Sequence, residues 1–224
     1  DVQREQLDEI SLSIRSYELS LTTDPRTEGS RSGLRSLLRK SDHRAEVVRV
    51  LLAAYVAADD WKLILDLTEH RLNAAPDVPT QIAILMEAAS ISEQRAEDPD
   101  AAFTLVRRAL LLDPGQDETV TQIFRLAEKT RAWRLLAEAL RECIDGRDDQ
   151  TWARGLRFRM GEVLETQLDE LRAALDAFVH CANSDPSDLE AARAVIRVAG
   201  KTGRWDAAAR SLVESTRARN VLER

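Results

Sequence analysis

Three stretches with the same layout decide how this chain folds: AADDWKLIL at residues 57–65, KTRAWRLLA at 129–137 and KTGRWDAAA at 201–209. Their tryptophans, Trp61, Trp133 and Trp205, follow one another at a constant step of 72. The same shift superposes the Asp-Pro pair at 113–114 on the Asp-Pro pair at 185–186. A chance register would not align aromatic and turn residues together, so the sequence contains an internal repeat.

Each block of this repeat contains two helical hairpins. The residues that mark the first helix of each hairpin follow one another at steps of 34, 38, 34 and 38: Tyr55, Ala89, Ala127, Gly161 and Ala199. Two helices of about 14 residues and two short turns fill such a step. The helices are predicted at 3–22, 28–40, 43–58, 60–74, 79–95, 99–112, 117–130, 132–145, 151–167, 169–183, 188–202 and 204–219.

Composition supports an all-α fold. Of 224 residues, 44% are hydrophobic and 32% charged, with only 8 Gly and 6 Pro, and helix formers dominate. The net charge of −7 argues against binding to nucleic acid or anionic membranes. No apolar stretch approaches the length of a membrane span, which argues against membrane insertion. The polar start, DVQREQLDEI, carries no signal peptide, and we expect a segment of a longer chain. Free cysteines and the missing signal favour a cytoplasmic location, and a periplasmic parent protein remains the alternative.

No pattern in the sequence indicates catalysis. The two cysteines, Cys143 and Cys181, are predicted to be reduced and to fill the core. The three histidines, His43, His70 and His180, fall in three different predicted helices, and no Gly-rich phosphate loop is present. The sequence therefore predicts no catalytic residue, no metal site, no cofactor and no enzyme activity.

Spacing within the repeat resembles the tetratricopeptide repeat (TPR) family. Ala102, Val106, Ala109 and Pro114 have the spacing of that family's second helix, and the set recurs one block later at Ala174, Phe178, Cys181 and Pro186. The match covers roughly residues 43–219. The pairing of unlike hairpins is similar to degenerate bacterial repeats, particularly those of delta-proteobacteria. HEAT-like or other α-solenoid repeats remain an alternative classification.

The resemblance implies an all-α, right-handed superhelix (α-solenoid) of about six stacked hairpins, because one hairpin cannot bury its apolar face alone. The chain would form one TPR-like repeat domain over 1–224, with poorly matching repeats at 1–42 and hairpins at 43–78, 79–116, 117–150, 151–187 and 188–219. The three tryptophans are expected to be buried between successive hairpins.

The family's concave groove lies on the first helices of the hairpins. Carried over to this chain, its positions give the candidate partner-binding residues Arg49, Leu52, Val56, Met86, Ser90, Glu93, Phe124, Glu128, Phe158, Glu162, Arg193 and Ile196. Position five is apolar in all five hairpins: Leu52, Met86, Phe124, Phe158 and Ile196. These side chains either form the floor of a groove or pack between neighbouring helices.

The leading hypothesis is a non-catalytic scaffold or adaptor that binds a helical or extended segment of a protein partner in this groove. Glu93, Glu128, Glu162 and Glu165 would favour basic residues in that partner. One alternative is a regulatory or substrate-recruiting module of a larger enzyme. Another is a structural element that self-associates head to tail through its terminal repeats.

Overall fold

The computed structural model describes residues 2–39, 43–145, 151–206, 208–210 and 213, with the side chains of residues 2–8 excluded. Within these ranges every regular element is an α-helix. The helices are α1 (Val2–Thr23), α2 (Glu28–Leu37), α3 (Arg44–Ala57), α4 (Trp61–Asp66), α5 (Thr68–Ala74), α6 (Val78–Gln94), α7 (Pro99–Leu112), α8 (Asp117–Thr130), α9 (Trp133–Ile144), α10 (Thr151–Thr166), α11 (Leu171–Ser184) and α12 (Leu189–Thr202).

The predicted helices agree with these bounds to within three residues, apart from one interruption. The helix expected at 60–74 is broken at Leu67 into α4 and α5. Here the buried Thr68 hydroxyl lies 3.5 Å from the Ile64 carbonyl, a type of contact that bends helices. The helix expected at 204–219 is present at 205–206, 208–210 and 213, and its other residues lie outside the described ranges.

The chain divides into two compact units, Asp1–Asp113 (unit 1) and Pro114–Arg224 (unit 2). In unit 1, α1 packs against α2, α3 against α4 and α5, and α6 against α7. In unit 2, α8 packs against α9, α10 against α9 and α11, and α11 against α12. The prediction of an all-α fold built from stacked helical hairpins is thus confirmed in each unit. The superhelical hand and the single domain over 1–224 stay predictions.

The sequence repeat is visible in the backbone. Five described residues have positive φ angles between 55° and 72°: Asp59, Glu97, Arg131, Asp169 and Gly203. Asp59, Arg131 and Gly203 occupy the same place in successive blocks, and each lies two residues before a repeat tryptophan. Glu97 and Asp169 likewise correspond to each other, one block apart. A left-handed residue at this point ends a helix and reverses the chain, so the turn inside every one of these hairpins contains a left-handed residue.

These turns come in two lengths, each with its own hydrogen bond. In the shorter turn a backbone N–H bonds the carbonyl five residues earlier, as from Asp60 to Tyr55 (2.9 Å), from Ala132 to Ala127 (3.1 Å) and from Arg204 to Ala199 (3.2 Å). In the longer turn the bond spans six residues, from Asp98 to Ser92 (2.9 Å) and from Glu170 to Leu164 (2.8 Å). The two hairpins of one block are therefore physically different.

The tryptophans are not core residues, and that expectation is wrong. Trp205 is 57% exposed, and Trp61 and Trp133 are only half-buried. Each indole stands at the start of a second helix, beside the left-handed turn. Trp205 rests on Gly200, where an added Cβ would lie 3.4 Å from its ring. The cost of about 3–5 kcal/mol for truncating a buried tryptophan therefore does not apply to Trp205.

The core consists mainly of small and aliphatic side chains, together with Tyr55 and Phe178. The largest fully buried side chains are Tyr55, Phe178, Ile14, Leu34, Leu51, Leu85, Leu110, Ile123, Leu126, Leu136, Leu140 and Leu164. A close helix approach in unit 2 places Gly161 of α10 against Phe178 of α11, where an added Cβ would lie 2.7 Å from the ring. The corresponding positions one block earlier hold Ala89 and Val106, so a smaller residue on one helix accompanies a larger one on the other.

Gly161→Ala should destabilise the protein by about 1–3 kcal/mol, because the new methyl group overlaps the Phe178 ring. Gly155→Ala, on the same helix with nothing within 4 Å, should stabilise it by about 0.5–1 kcal/mol. Urea unfolding of both variants measures the difference. The double variant Gly161→Ala/Phe178→Val, which restores the Ala–Val pair of unit 1, should lose less than the sum of its single changes. Equal effects at Gly161 and Gly155 would contradict this account.

Both cysteines are buried and free of disulfide, as expected of core residues. Burial raises the pKa of Cys181 to about 11, because the thiolate would lose its hydration. At pH 8 about one Cys181 side chain in a thousand would be ionised. Ellman's reagent should therefore modify both thiols in the protein unfolded in guanidinium, and react with Cys181 in the native protein only very slowly. Rapid modification of native Cys181, located by peptide mass mapping, would show that it is accessible.

Candidate protein-interaction surface

The first helices of the hairpins in unit 2 lie side by side. The guanidinium of Arg159 on α10 lies 3.8 Å from the ring centroid of Phe124 on α8. On its other side α10 contacts α12, where Arg197 donates to the Glu165 carboxylate at 3.0 and 2.8 Å. In unit 1 the same neighbour relation joins α1 and α3 through the Glu18–Arg49 ion pair of 2.7 Å. Each unit therefore presents a surface made of adjacent first helices.

The position-five residues are neither fully buried nor fully exposed. Leu52, Met86, Phe124 and Phe158 are half-buried, and Ile196 is 38% exposed. Phe158 packs its ring 5.2 Å from Phe178 in the core while another part of it reaches solvent. In unit 2, the position-five residues of α8, α10 and α12 therefore form a row of partly exposed apolar side chains. Phe158 in the middle of this row also packs against the core.

The other predicted groove residues surround these side chains. Glu93 is half-buried, and the rest are exposed: Arg49, Val56, Ser90, Glu128, Glu162 and Arg193. Val56 is the most open apolar residue of the set at 58%. Those in unit 2 share the first-helix surface of α8, α10 and α12, whereas those in unit 1 belong to α3 and α6.

Glu165 does not contribute a charge to this surface. Its side chain is only 2% exposed, and Lys201 donates to it at 2.8 Å in addition to the two bonds from Arg197. The hydrogen bond from Arg197 is the main reason that the pKa of Glu165 lies below its ordinary value, and Lys201 lowers it further. The carboxylate is thus fully engaged in joining α10 to α12, and the expected attraction of basic partners by Glu165 is wrong.

Unlike Glu165, the side chains of Glu162 and Arg159 are not fully buried. Partial burial of its carboxyl group raises the pKa of Glu162, with repulsion from Glu190 adding to the effect. Burial also lowers the pKa of Arg159. Neither side chain forms an ion pair within the described part of the chain, so each has hydrogen-bonding capacity left for a partner.

Sequence reasoning missed Arg159, Arg197 and Lys201. A signal for the arginines was available, because an arginine directly follows the position-five residue in all three first helices of unit 2: Arg125, Arg159 and Arg197. Arginine is suited to this place, since its planar fork can stack on an aromatic ring and bind a carboxylate at the same time.

No group of three His, Cys, Asp or Glu side chains in the described residues is placed to hold a metal ion. None of the described helices combines the length and the apolar character that crossing a membrane requires. Described residues line several concave spaces, of which two are of moderate size and lie within one unit each. One, of about 260 Å³, lies between α1 and α3 in unit 1, and one of about 540 Å³ opens at the start of α11 in unit 2.

Glu165→Gln should reduce the free energy of unfolding at pH 7 by about 1–3 kcal/mol, because a buried charge-assisted pair is lost. The carboxyl pKa is lowered on folding, so this stabilisation is present above the ordinary pKa of 4.5 and disappears as the pH falls through the folded value. Wild type and variant should therefore converge in urea unfolding between pH 5 and strongly acidic pH. The exposed Glu138→Gln of α9 is the control; an equal effect of both changes at pH 7 would contradict the assignment.

No protein-family model matches the chain, and no curated protein matches it at a significant level. Two solved structures with similarity to it are both crystal structures of MamA. One is 14% identical, with a TM-score of 0.42, and covers 75% of this chain and 94% of its own. The other is 13% identical, with a TM-score of 0.42, and covers 78% of this chain and 91% of its own. The assignment of stacked helical hairpins rests on the helix packing and the repeated turns described above.

Proposed function

We propose that this protein is a non-catalytic interaction scaffold that binds a helical or extended segment of a partner protein across α8, α10 and α12. The observation that carries the proposal is the row formed by Phe124, Phe158 and Ile196, one partly exposed apolar side chain on each of three adjacent first helices. Apolar side chains on successive helices suit a partner segment that places one of its own apolar side chains against each of them.

The rigidity of this surface supports the same function. Phe158 rests on the buried Phe178, and Glu165 fixes α10 to α12 through Arg197 and Lys201. A surface that is ordered before binding loses little conformational entropy when a partner docks. The exposed Glu128, Glu162 and Arg193 around the row provide the polar rim that interfaces of this kind have.

Ile196→Asp should weaken binding of a groove-directed peptide at least tenfold, because it places a charge in the apolar row. The matched control is Leu135→Asp, which changes an apolar residue of similar exposure (47% against 38%) on the second helix α9. Peptides selected by phage display on the immobilised wild-type chain serve as probes, with affinities measured by fluorescence anisotropy.

The two variants should have similar circular dichroism spectra and unfolding midpoints, so that a difference in binding reports the surface itself. Peptides that bind both variants as well as wild type, or a selection that enriches no peptide, would contradict the proposed function.

A further inference from the structure

One side of α1, the α1 face, carries the uncovered side chains of Leu12, Ser16 and Leu19. The two leucines are 65% and 72% exposed, and Ser16 between them is exposed as well. Shifts of 72 and 144 residues superpose α1 on the first helices α6 and α10. The residues equivalent to the two leucines are apolar and at least half-buried in both helices: Ile84, Leu156, Ile91 and Val163. The α1 face is therefore a docking face whose neighbour is missing.

The internal repeat shows which kind of element covers such a face. α10 packs against α9, and α6 packs against α4 and α5. Both covering elements are second helices that begin at a repeat tryptophan, Trp133 in α9 and Trp61 in α4. The exposure of Leu12 and Leu19 shows that no helix of the described residues takes this place on α1. The α1 face therefore fits a second helix that begins at a repeat tryptophan.

The third helix of this kind begins at Trp205 and is uncovered on the matching side. This Trp205 helix is described at 205–206, 208–210 and 213. Trp205 is 57% exposed, and Ala209, one helical turn further on, is exposed too. The equivalent residues of α9, Trp133 and Ala137, are half-buried and buried. Since α9 has α10 beside it, the Trp205 helix lacks the neighbour that α10 provides for α9.

Charged residues at these two faces are also complementary. Beside the contact of α9 with α10, Arg134 of α9 pairs at 2.9 Å with Glu170, which follows α10. A shift of 72 residues takes Arg134 to Asp206 of the Trp205 helix. A shift of 144 residues in the other direction takes Glu170 to Arg26, which follows α1. Both signs are reversed, so the two equivalent residues again carry opposite charges.

Asp206 and Arg26 are both exposed. Arg26 donates one N–H to the Ala58 carbonyl, and Asp206 accepts from Arg210 of its own helix. Each side chain keeps further hydrogen-bonding atoms for a partner, because a guanidinium has five N–H donors and a carboxylate has several lone pairs. An ion pair of this kind fixes the register of a contact more than it strengthens it.

We propose that the α1 face binds the Trp205 helix of a second copy of this chain, as α10 binds α9. Asp206 of one copy then lies beside Arg26 of the other. The two faces are different, so the contact is heterologous, and a pair of copies still has one free face of each kind for further copies. The contact uses no residue of the apolar row on α8, α10 and α12, and the inference therefore goes beyond the proposed function.

Sedimentation velocity of the full chain over about a hundredfold range of concentration measures this association. The weight-average mass of wild type should rise with concentration and pass that of a dimer. Leu19→Asp should weaken the association by about tenfold or more, because it places a charge in the contact. Leu135→Asp, at an apolar residue of α9 that is 47% exposed, is the matched control and should associate like wild type. A wild-type chain that stays monomeric throughout would overturn the proposal.

Mixing two variants distinguishes the proposed contact from a symmetric one. Leu19→Asp blocks only the α1 face, and Ala209→Arg blocks only the Trp205 helix. Each variant alone should be monomeric, and an equimolar mixture should form dimers that do not grow further, because one intact face of each kind remains. If the α1 faces of two copies bind each other instead, Ala209→Arg associates like wild type, and the proposal is wrong.

Exchanging the two charges tests the register. Asp206→Arg should weaken the association by about threefold or more, because two cations then face each other. Asp206→Arg/Arg26→Glu restores opposite charges and should recover most of the loss, and no recovery would overturn the proposed register. Ile196→Asp should leave self-association unchanged, so a failure of this inference and a failure of the scaffold function are recognised separately.

Discussion

A left-handed residue in the turn of each hairpin sets the phase for the rest of the structure. From that residue to the marker residue of the next first helix the length of chain is constant, as from Asp59 to Ala89 and from Glu97 to Ala127. The length of chain that varies is the one between the marker residue of a first helix and the left-handed residue that follows it. Tyr55 precedes its left-handed residue by four positions and Ala89 precedes its own by eight. The difference is close to one helical turn, so the longer first helices keep the same side facing their neighbours.

Helix number, helix bounds and hairpin pairing could be predicted because they depend on local signals. Asp77, Asp98 and Asp188 accept hydrogen bonds from backbone N–H groups two to three residues ahead, and such caps are legible in sequence. Burial of the tryptophans could not be predicted in the same way. Regular spacing shows that Trp61, Trp133 and Trp205 serve equivalent places, but it does not show whether those places are inside the core or above a turn.

The candidate surface was predictable in its apolar part and not in its charges. Position five follows from the helical register, and its five residues are all partly exposed. Glu165 and Glu162 are both acidic, three residues apart on one helix, and sequence gives them equal weight. Their roles differ because Arg197 and Lys201 reach the first from α12 and neither forms an ion pair with the second. Glu165, Arg197 and Lys201 correspond to Glu93, Arg125 and Lys129 one block earlier. The same three residue types therefore belong to the sequence repeat.

The alternation of two turn lengths limits how such an array can change its size. A gene duplication or deletion that adds or removes one hairpin would place two hairpins of the same turn length side by side. The first helices at that junction would then have equal lengths, whereas every existing junction joins first helices that differ by one helical turn. An event that moves a whole block of two hairpins preserves every junction. We therefore expect natural length variants of this array to differ by even numbers of hairpins.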